Sequence, residues 1–199
     1  MARLRMLLFV VLPLAIGTGG AAPPASAADK PVLSLRAFAV NMSAGARVRA
    51  GTLEIVVERW STDEEREKLL GLLIESGSDA VLSALQKIKP RAGYIRTSSS
   101  LGWDIHYARE QPFGDGGRRV IIATDRPMSF WELTNKPRSA EYEFTLAEIR
   151  LTNDGKGEGK LATAAKIARN KETRTIEIEN YSNEPVRLTE IRVEGAKGK

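Results

Sequence analysis

The sequence predicts an α+β fold: an antiparallel, β-rich sheet, open or curled into a half or closed barrel, with an inserted helical hairpin. Three observations predict it. Segments in which apolar and polar residues alternate recur along most of the chain. Glycine-rich turns separate several of these segments. Residues 62–90, in contrast, have the apolar spacing and the capping residues of helices.

Two strands are predicted before the helices. Residues 32–40 are apolar and β-compatible, and residues 51–60 alternate, with Leu53 and Ile55 opposed to Glu54. The intervening residues are small, polar and basic, which is typical of a surface loop.

The helical hairpin follows these strands. Thr62 and Glu65 have the spacing of a capping box, so the first helix should begin beside them. Gly77 is suited to end that helix, and Ser78 to cap a second helix that runs up to Pro90. Because strand patterns lie on both sides, the hairpin is predicted to be an insertion between strands.

The middle of the chain is predicted to contain three strands, at residues 94–97, 102–109 and 118–124. The glycine-rich turn at 114–117 should pair the last two strands antiparallel. Alternation places Trp103, Ile105 and Tyr107 on one face of their strand. One short helical turn is predicted at 128–133.

Four more strands complete the prediction, at residues 141–151, 160–168, 173–179 and 186–193. Residues 153–159 are predicted to be the turn that joins the first two as a hairpin. A shift in the apolar phase between Leu146 and Ile149 indicates a bulge.

The N-terminus has the order of a secretory signal: Arg3 and Arg5, an apolar run at 6–16, and small residues that end at Ala27. The apolar run is shorter than the roughly 20 residues that a membrane-spanning helix needs. The sequence therefore predicts a cleavable signal peptide at 1–27 and a single soluble, β-rich domain at 28–199. We expect export to a bacterial periplasm or to the exterior, without a membrane span.

The composition excludes several classes of site. Cysteine is absent, which excludes disulfides, thiol nucleophiles and thiolate metal sites. The chain has 30 basic and 25 acidic residues, and removal of Arg3 and Arg5 leaves 28 basic residues and a net charge of +3. Because these charges are interspersed along the chain, no nucleic-acid interface is predicted. No motif for a metal or a cofactor is present, and neither is expected.

His106 is the only histidine, which excludes sites that need two imidazoles. Asp104 lies two residues before it on a predicted strand, so both side chains should share one face, where the carboxylate could orient the imidazole. The serines at 98–100 are near in sequence, but the chain has no Gly-x-Ser-x-Gly motif. Asp104 and His106 are therefore the catalytic candidates. The alternative is a solvent-facing pair on the outer side of a sheet.

A second group of residues indicates a binding site for a polar or planar ligand. Aromatic residues cluster near the ends of predicted strands and could line a cavity, although the same residues could be ordinary core. Charged residues in the loop after residue 124 could bind the ligand or fix the turn. The ligand-binding candidates are Trp60, Trp103, Asp125, Arg126, Phe130, Trp131 and Glu132.

Four segments resemble a family of uncharacterised exported bacterial proteins. They lie at 58–62, 93–97, 124–132 and 157–160 and contain the letters ERWST, GYIRT, TDRP followed by FWE, and GEGK. The resemblance spans most of the exported part and implies a bacterial, exported protein. It implies no activity, ligand, cofactor or catalytic residue.

The leading hypothesis is an exported, non-catalytic domain that binds a small ligand or a component of the cell envelope. The first alternative is a hydrolytic or isomerising enzyme that uses Asp104, His106 or the carboxylates of Asp125 and Glu132. The second alternative is a protein-interaction module that docks through a sheet edge or the helical hairpin.

Overall fold

The computed structural model describes residues 30–41, 49–98, 100–128, 144–170, 175–180 and 184–195. The predicted signal peptide and most of the helical turn predicted at 128–133 lie outside these ranges. The described elements are, in chain order, β1 (Leu33–Asn41), β2 (Arg49–Val57), α1 (Asp63–Ser76), α2 (Ser78–Leu85), β3 (Gly93–Thr97), β4 (Trp103–Phe113), β5 (Gly117–Thr124), β6 (Phe144–Leu151), β7 (Lys156–Asn170), β8 (Thr175–Asn180) and β9 (Val186–Val193).

Eight of these strands close into an antiparallel barrel. Each strand from β1 to β7 pairs with its sequence neighbours, β7 also pairs with β9, and β9 pairs with β1. The β-rich, antiparallel prediction with an inserted helical hairpin is confirmed. Of the open and closed arrangements that the sequence allowed, the chain adopts the closed barrel, which leaves the eight strands without a free edge.

β7 is longer than the sequence predicts. Residues 156–159, predicted as part of a turn, are its first residues, and they pair with both β6 and β9. Glycine is needed there because the strands approach closely: a Cβ added at Gly157 would lie 2.2 Å from the carbonyl oxygen of Arg150. The last residues of β7, from 165 to 170, pair with β8, so β7 and β8 extend the barrel wall as a hairpin.

α1 begins and ends where the sequence predicts. The backbone nitrogen of Glu65 donates to Oγ1 of Thr62 at 3.2 Å, and the backbone nitrogen of Thr62 donates to the Glu65 carboxylate at 3.0 Å. Gly77 ends the helix with a φ of 87°. Ser78 is the first residue of α2 rather than its cap.

Arg59 ties the helical hairpin to the barrel at both of its ends. Its guanidinium donates to both carboxylate oxygens of Glu65, at 2.9 and 3.0 Å, and to the carbonyl oxygen of Pro90, at 2.9 and 3.0 Å. The start of α1 is thereby joined to the connection between α2 and β3. The hydrogen bonds from Arg59 are the largest influence on the Glu65 carboxyl and lower its pKa.

The two helices pack against the outer face of the barrel. Their apolar side chains meet the outward-facing side chains of β6 in a cluster separate from the barrel interior. The buried members of this cluster are Leu69, Leu73, Val81, Leu85 and Phe144.

The bulge predicted between Leu146 and Ile149 is wrong. β6 pairs without a break with β5 and with β7 over this stretch. Leu146 packs outward against the helices, whereas Ala147 and Ile149 face the barrel interior. The alternation of apolar residues changes at Leu146 because the helices cover this part of the outer face of the barrel. Both faces of β6 are therefore buried where the helices pack.

A bulge that the sequence did not indicate lies in β4. The register between β4 and β5 shifts between Ile105 and Tyr107. As a result Ala108 faces the interior and Tyr107 turns outward to the helices, so the prediction that Tyr107 shares a face with Trp103 and Ile105 is wrong. Ser61 stabilises the bulge, because its Oγ accepts from the backbone nitrogen of Ala108 at 3.1 Å.

Neither of the described helices has both the length and the apolar character required to cross a membrane.

Candidate functional site

The barrel interior is filled at one end and open at the other. At the packed end, where β1 begins and β2 ends, inward-facing side chains such as Leu35, Ile55 and Ile105 are fully buried. At the opposite end, which we call the mouth, a cavity of about 460 Å³ opens among strand ends of β1 to β4, β7 and β9. Cavities of this size hold small organic molecules in other proteins.

Small residues on β1 and β2 keep the mouth open. Along β1 the inward-facing side chains shrink from Leu35 to Ala39, and along β2 they shrink from Ile55 to Gly51. The register places Ala39 directly opposite Gly51. Two of the smallest side chains of these strands therefore meet at the mouth, where none of the described inward-facing residues of β1 and β2 fills the space.

The cavity has an apolar floor and a polar rim. The larger apolar side chains that line it are Leu53, Trp103, Met128, Leu161 and Val186. Neutral polar residues complete the lining: Asn41, Thr52, Thr97, Ser98, Ser100 and Thr163. Trp103 is the one ligand-binding candidate that the structure places at this cavity, where it is partly buried against the core.

A network of three buried threonines fixes one side of the mouth. The hydroxyl of Thr145 donates to the carbonyl oxygen of Thr163 at 2.8 Å and accepts from the backbone nitrogen of Met128 at 2.7 Å. The hydroxyl of Thr124 donates to the carbonyl oxygen of Arg126 at 2.5 Å. These bonds hold Met128 at the cavity floor by its backbone, so this part of the wall is rigid.

None of the other described ligand-binding candidates lines the mouth cavity. Trp60 lies at the packed end, in a shallow groove beside Arg109 and Gly116. Arg126 donates from Nη2 to the carbonyl oxygen of Gly102 at 3.0 Å, and it thereby holds the connection between β3 and β4. Phe130, Trp131 and Glu132 lie outside the described residues.

The two catalytic candidates have different partners. Nε2 of His106 lies 3.5 Å from Oδ1 of Asp125, in a pair whose side chains are 12 % and 22 % exposed. Asp104 accepts instead from the guanidinium of Arg91 at 2.7 Å, on the outside of the barrel. Arg91 also donates to both carboxylate oxygens of Glu58, and these hydrogen bonds, ahead of the one that Arg91 donates to Asp104, raise the pKa of Arg91.

The pair of His106 and Asp125 has part of what acid–base chemistry needs. A carboxylate beside an imidazole can orient the ring, and Nδ1 of His106 is buried with no hydrogen-bond partner in the described part of the chain. Neither residue lines the mouth cavity. Within the described ranges no group of three or more His, Asp or Glu side chains could hold a metal ion.

Sequence reasoning missed most residues of the mouth cavity. The signal that could have found it is the decline in side-chain size along the inward positions of residues 32–40 and 51–60. That decline becomes a cavity only because Ala39 faces Gly51, which the separate strands do not reveal.

No protein-family model, curated protein or solved structure matches this chain. The resemblance to exported bacterial proteins therefore stays a prediction.

Proposed function

We propose that this chain is an exported, non-catalytic protein that binds a small molecule in the mouth cavity. The observation that carries the proposal is the cavity itself, about 460 Å³ in volume, with a buried apolar floor and a rim of hydroxyl and amide side chains. Sites for small ligands have this character: they are concave and mostly apolar, with a few polar groups that orient the ligand.

Most of the cavity wall belongs to hydrogen-bonded strands, which supports a preformed site. These strands are part of a closed barrel, and the backbone of Met128 is held by hydrogen bonds to Thr145 and Thr163. A ligand that enters such a site orders little of the protein, so little of the binding energy is lost to ordering.

Export is part of the proposal and rests on the sequence. Residues 1–27 have the composition of a secretory signal, and the chain resembles exported bacterial proteins. A small apolar component of the cell envelope is compatible with both the cavity and this location.

Catalysis is the second candidate function, and one observation favours it: His106 has a carboxylate partner and a buried Nδ1 that bonds to no described residue. Neither His106 nor Asp125 lines the mouth cavity, so a substrate bound in that cavity would not contact the pair. His106→Gln separates the two functions. It abolishes turnover by an enzyme and leaves binding at the mouth unchanged.

Native mass spectrometry of the protein purified from its native source tests the proposal. We expect a mass excess that disappears when the same sample is denatured. Gly51→Leu should remove the excess by filling the cavity, because a Cβ at Gly51 meets no atom within 4 Å and the side chain can be accommodated.

Gly71→Leu is the matched control. It adds the same side chain in α1, where a Cβ also meets nothing within 4 Å, and it lies outside the cavity. The excess should persist in this variant. An excess that survives Gly51→Leu, or a bare mass for the wild-type protein, contradicts the proposal.

A further inference from the structure

We infer that the ligand of the mouth cavity is uncharged, with an apolar body and hydrogen-bonding groups at the end nearest the rim. The inference rests on the proposed function and adds the chemical class of the ligand. Its basis is that no described residue lining the cavity carries a charge, although 28 % of the residues in the chain are charged.

The neutrality of the cavity follows from how the strands distribute their charges. On the outer side of the same strands, Arg36, Glu54 and Arg96 line a neighbouring groove, which shares Thr52, Thr97, Ser98 and Ser100 with the mouth cavity. Arg96 binds Glu54 there at 2.9 Å. Because side chains alternate between the two faces of a strand, the charged residues face out and the small or apolar residues face in.

A charged ligand would lose hydration in this cavity without gaining an opposite charge from any of the described residues that line it. Burial of an unpaired ion costs several kcal/mol even after the protein relaxes. The usual compensating groups are an opposite charge or a helix N-terminus. Neither is present among the described lining residues, and both described helices pack on the outer face of the barrel.

The rim favours a ligand with hydroxyl, carbonyl or amide groups at one end. Serine and threonine hydroxyls both donate and accept, so they match any of these groups. Ser100 is held in place, because its Oγ accepts from the backbone nitrogen of Thr97 at 3.0 Å. Below the rim, Trp103 and Leu53 offer only apolar surface apart from the indole N–H, which suits a planar or hydrocarbon body.

Two fluorescent probes that differ by one charged group test the inference. N-phenyl-1-naphthylamine is neutral at pH 7, and 8-anilinonaphthalene-1-sulfonate has the same two ring systems with an added sulfonate. We expect the neutral probe to bind the wild-type protein about tenfold more tightly than the anionic probe, because none of the described lining residues carries a charge that could pair with the sulfonate. Gly51→Leu should weaken the neutral probe about tenfold, and Gly71→Leu should leave its affinity unchanged.

Ser98→Lys adds the missing partner. Ser98 is exposed at the rim, so a lysine is tolerated there, and its ammonium should raise the affinity for the anionic probe relative to that for the neutral probe. Circular dichroism and thermal melting of each variant confirm that it is folded.

The outcomes separate the two proposals. Equal affinity of the wild-type protein for both probes, with both weakened by Gly51→Leu, overturns the inference of an uncharged ligand and leaves the proposed function standing. If the affinity of neither probe changes in folded Gly51→Leu, the proposed function fails, and the inference fails with it.

Discussion

The packed end and the mouth of the barrel are made of the same strands with the same alternation, yet one is solid and the other is hollow. In β1 and β2 the packed end holds Leu35 and Ile55, both fully buried, and the mouth holds Ala39 and Gly51. The hydrogen-bonded ladder between the strands continues through both regions. The difference shows that the backbone sets the shape of the barrel, and that the volume of the inward side chains decides where it can hold a ligand.

The largest expected effect separates the two regions by their response to truncation. Ile55→Ala should lower the free energy of unfolding by about 2–5 kcal/mol, because the lost side chain is enclosed on all sides. Leu53→Ala, one inward position closer to the mouth, should cost less, because its side chain already borders the cavity. Urea denaturation of both variants measures the difference. Equal losses would mean that the mouth is packed as tightly as the other end.

An intermediate effect is expected at the boundary between the regions. Thr145→Val keeps the shape of a buried side chain but removes the hydroxyl that bonds to Thr163 and Met128. We expect a loss of about 1–2 kcal/mol, since both hydrogen bonds of the hydroxyl are lost, whereas the backbone nitrogen of Met128 and the carbonyl oxygen of Thr163 remain bonded to each other at 2.9 Å. Chemical denaturation checks the stability. Thr189→Val, at an exposed hydroxyl of β9, is the control and should change it little.

The smallest expected effect is a gain in stability. Gly51→Ala should raise the free energy of unfolding by about 0.5–1 kcal/mol, because glycine within a strand is more costly to order than alanine and the added Cβ meets no atom within 4 Å. Thermal melting measures it. In Gly93→Ala, at the packed end, the added Cβ would lie 2.0 Å from the carbonyl oxygen of Val56, and the same substitution should destabilise the protein. A loss in both variants would show that the mouth has no free space at Gly51.

Local features of the fold could be predicted from the sequence. The capping box of Thr62 and Glu65 and the end of α1 at Gly77 depend on residues within a few positions of each other, and both are confirmed. The hairpin between β4 and β5 is confirmed for the same reason, because its turn lies between the paired residues.

Features that depend on distant pairing could not be predicted. The outward turn of Tyr107 depends on a bulge, and the apolar phase at Leu146 depends on helices that lie far away in the chain. In β9 a bulge beside Glu190 shifts the alternation of inward-facing and outward-facing residues by one position. The φ of Glu190 is 51°, which is unusual for a residue other than glycine. None of these has a local sequence signal.

The residues of the candidate site likewise differ in whether the sequence could reveal them. Trp103 can be predicted because an aromatic residue near a strand end is visible in the sequence. Ala39 and Gly51 contribute to the cavity because they have no large side chain, and the sequence of a single strand does not show this role. The partner of His106 was missed because Asp125 comes from the end of the neighbouring strand β5, while Asp104 was nearer in sequence. Proximity along the chain was a poor guide to proximity across the sheet.

The pairing of β1 with β9 makes the seam of the barrel the contact between its first and last strands. The backbone nitrogen of Glu194 donates to the carbonyl oxygen of Ser34 at 2.8 Å, across 160 residues of chain. During synthesis from the N-terminus, the barrel can therefore close only after β9 has been made. The same adjacency suits the protein to circular permutation: a short linker can join the two ends across the seam, and new termini can be opened at the exposed turn of Gly114 without cutting a strand.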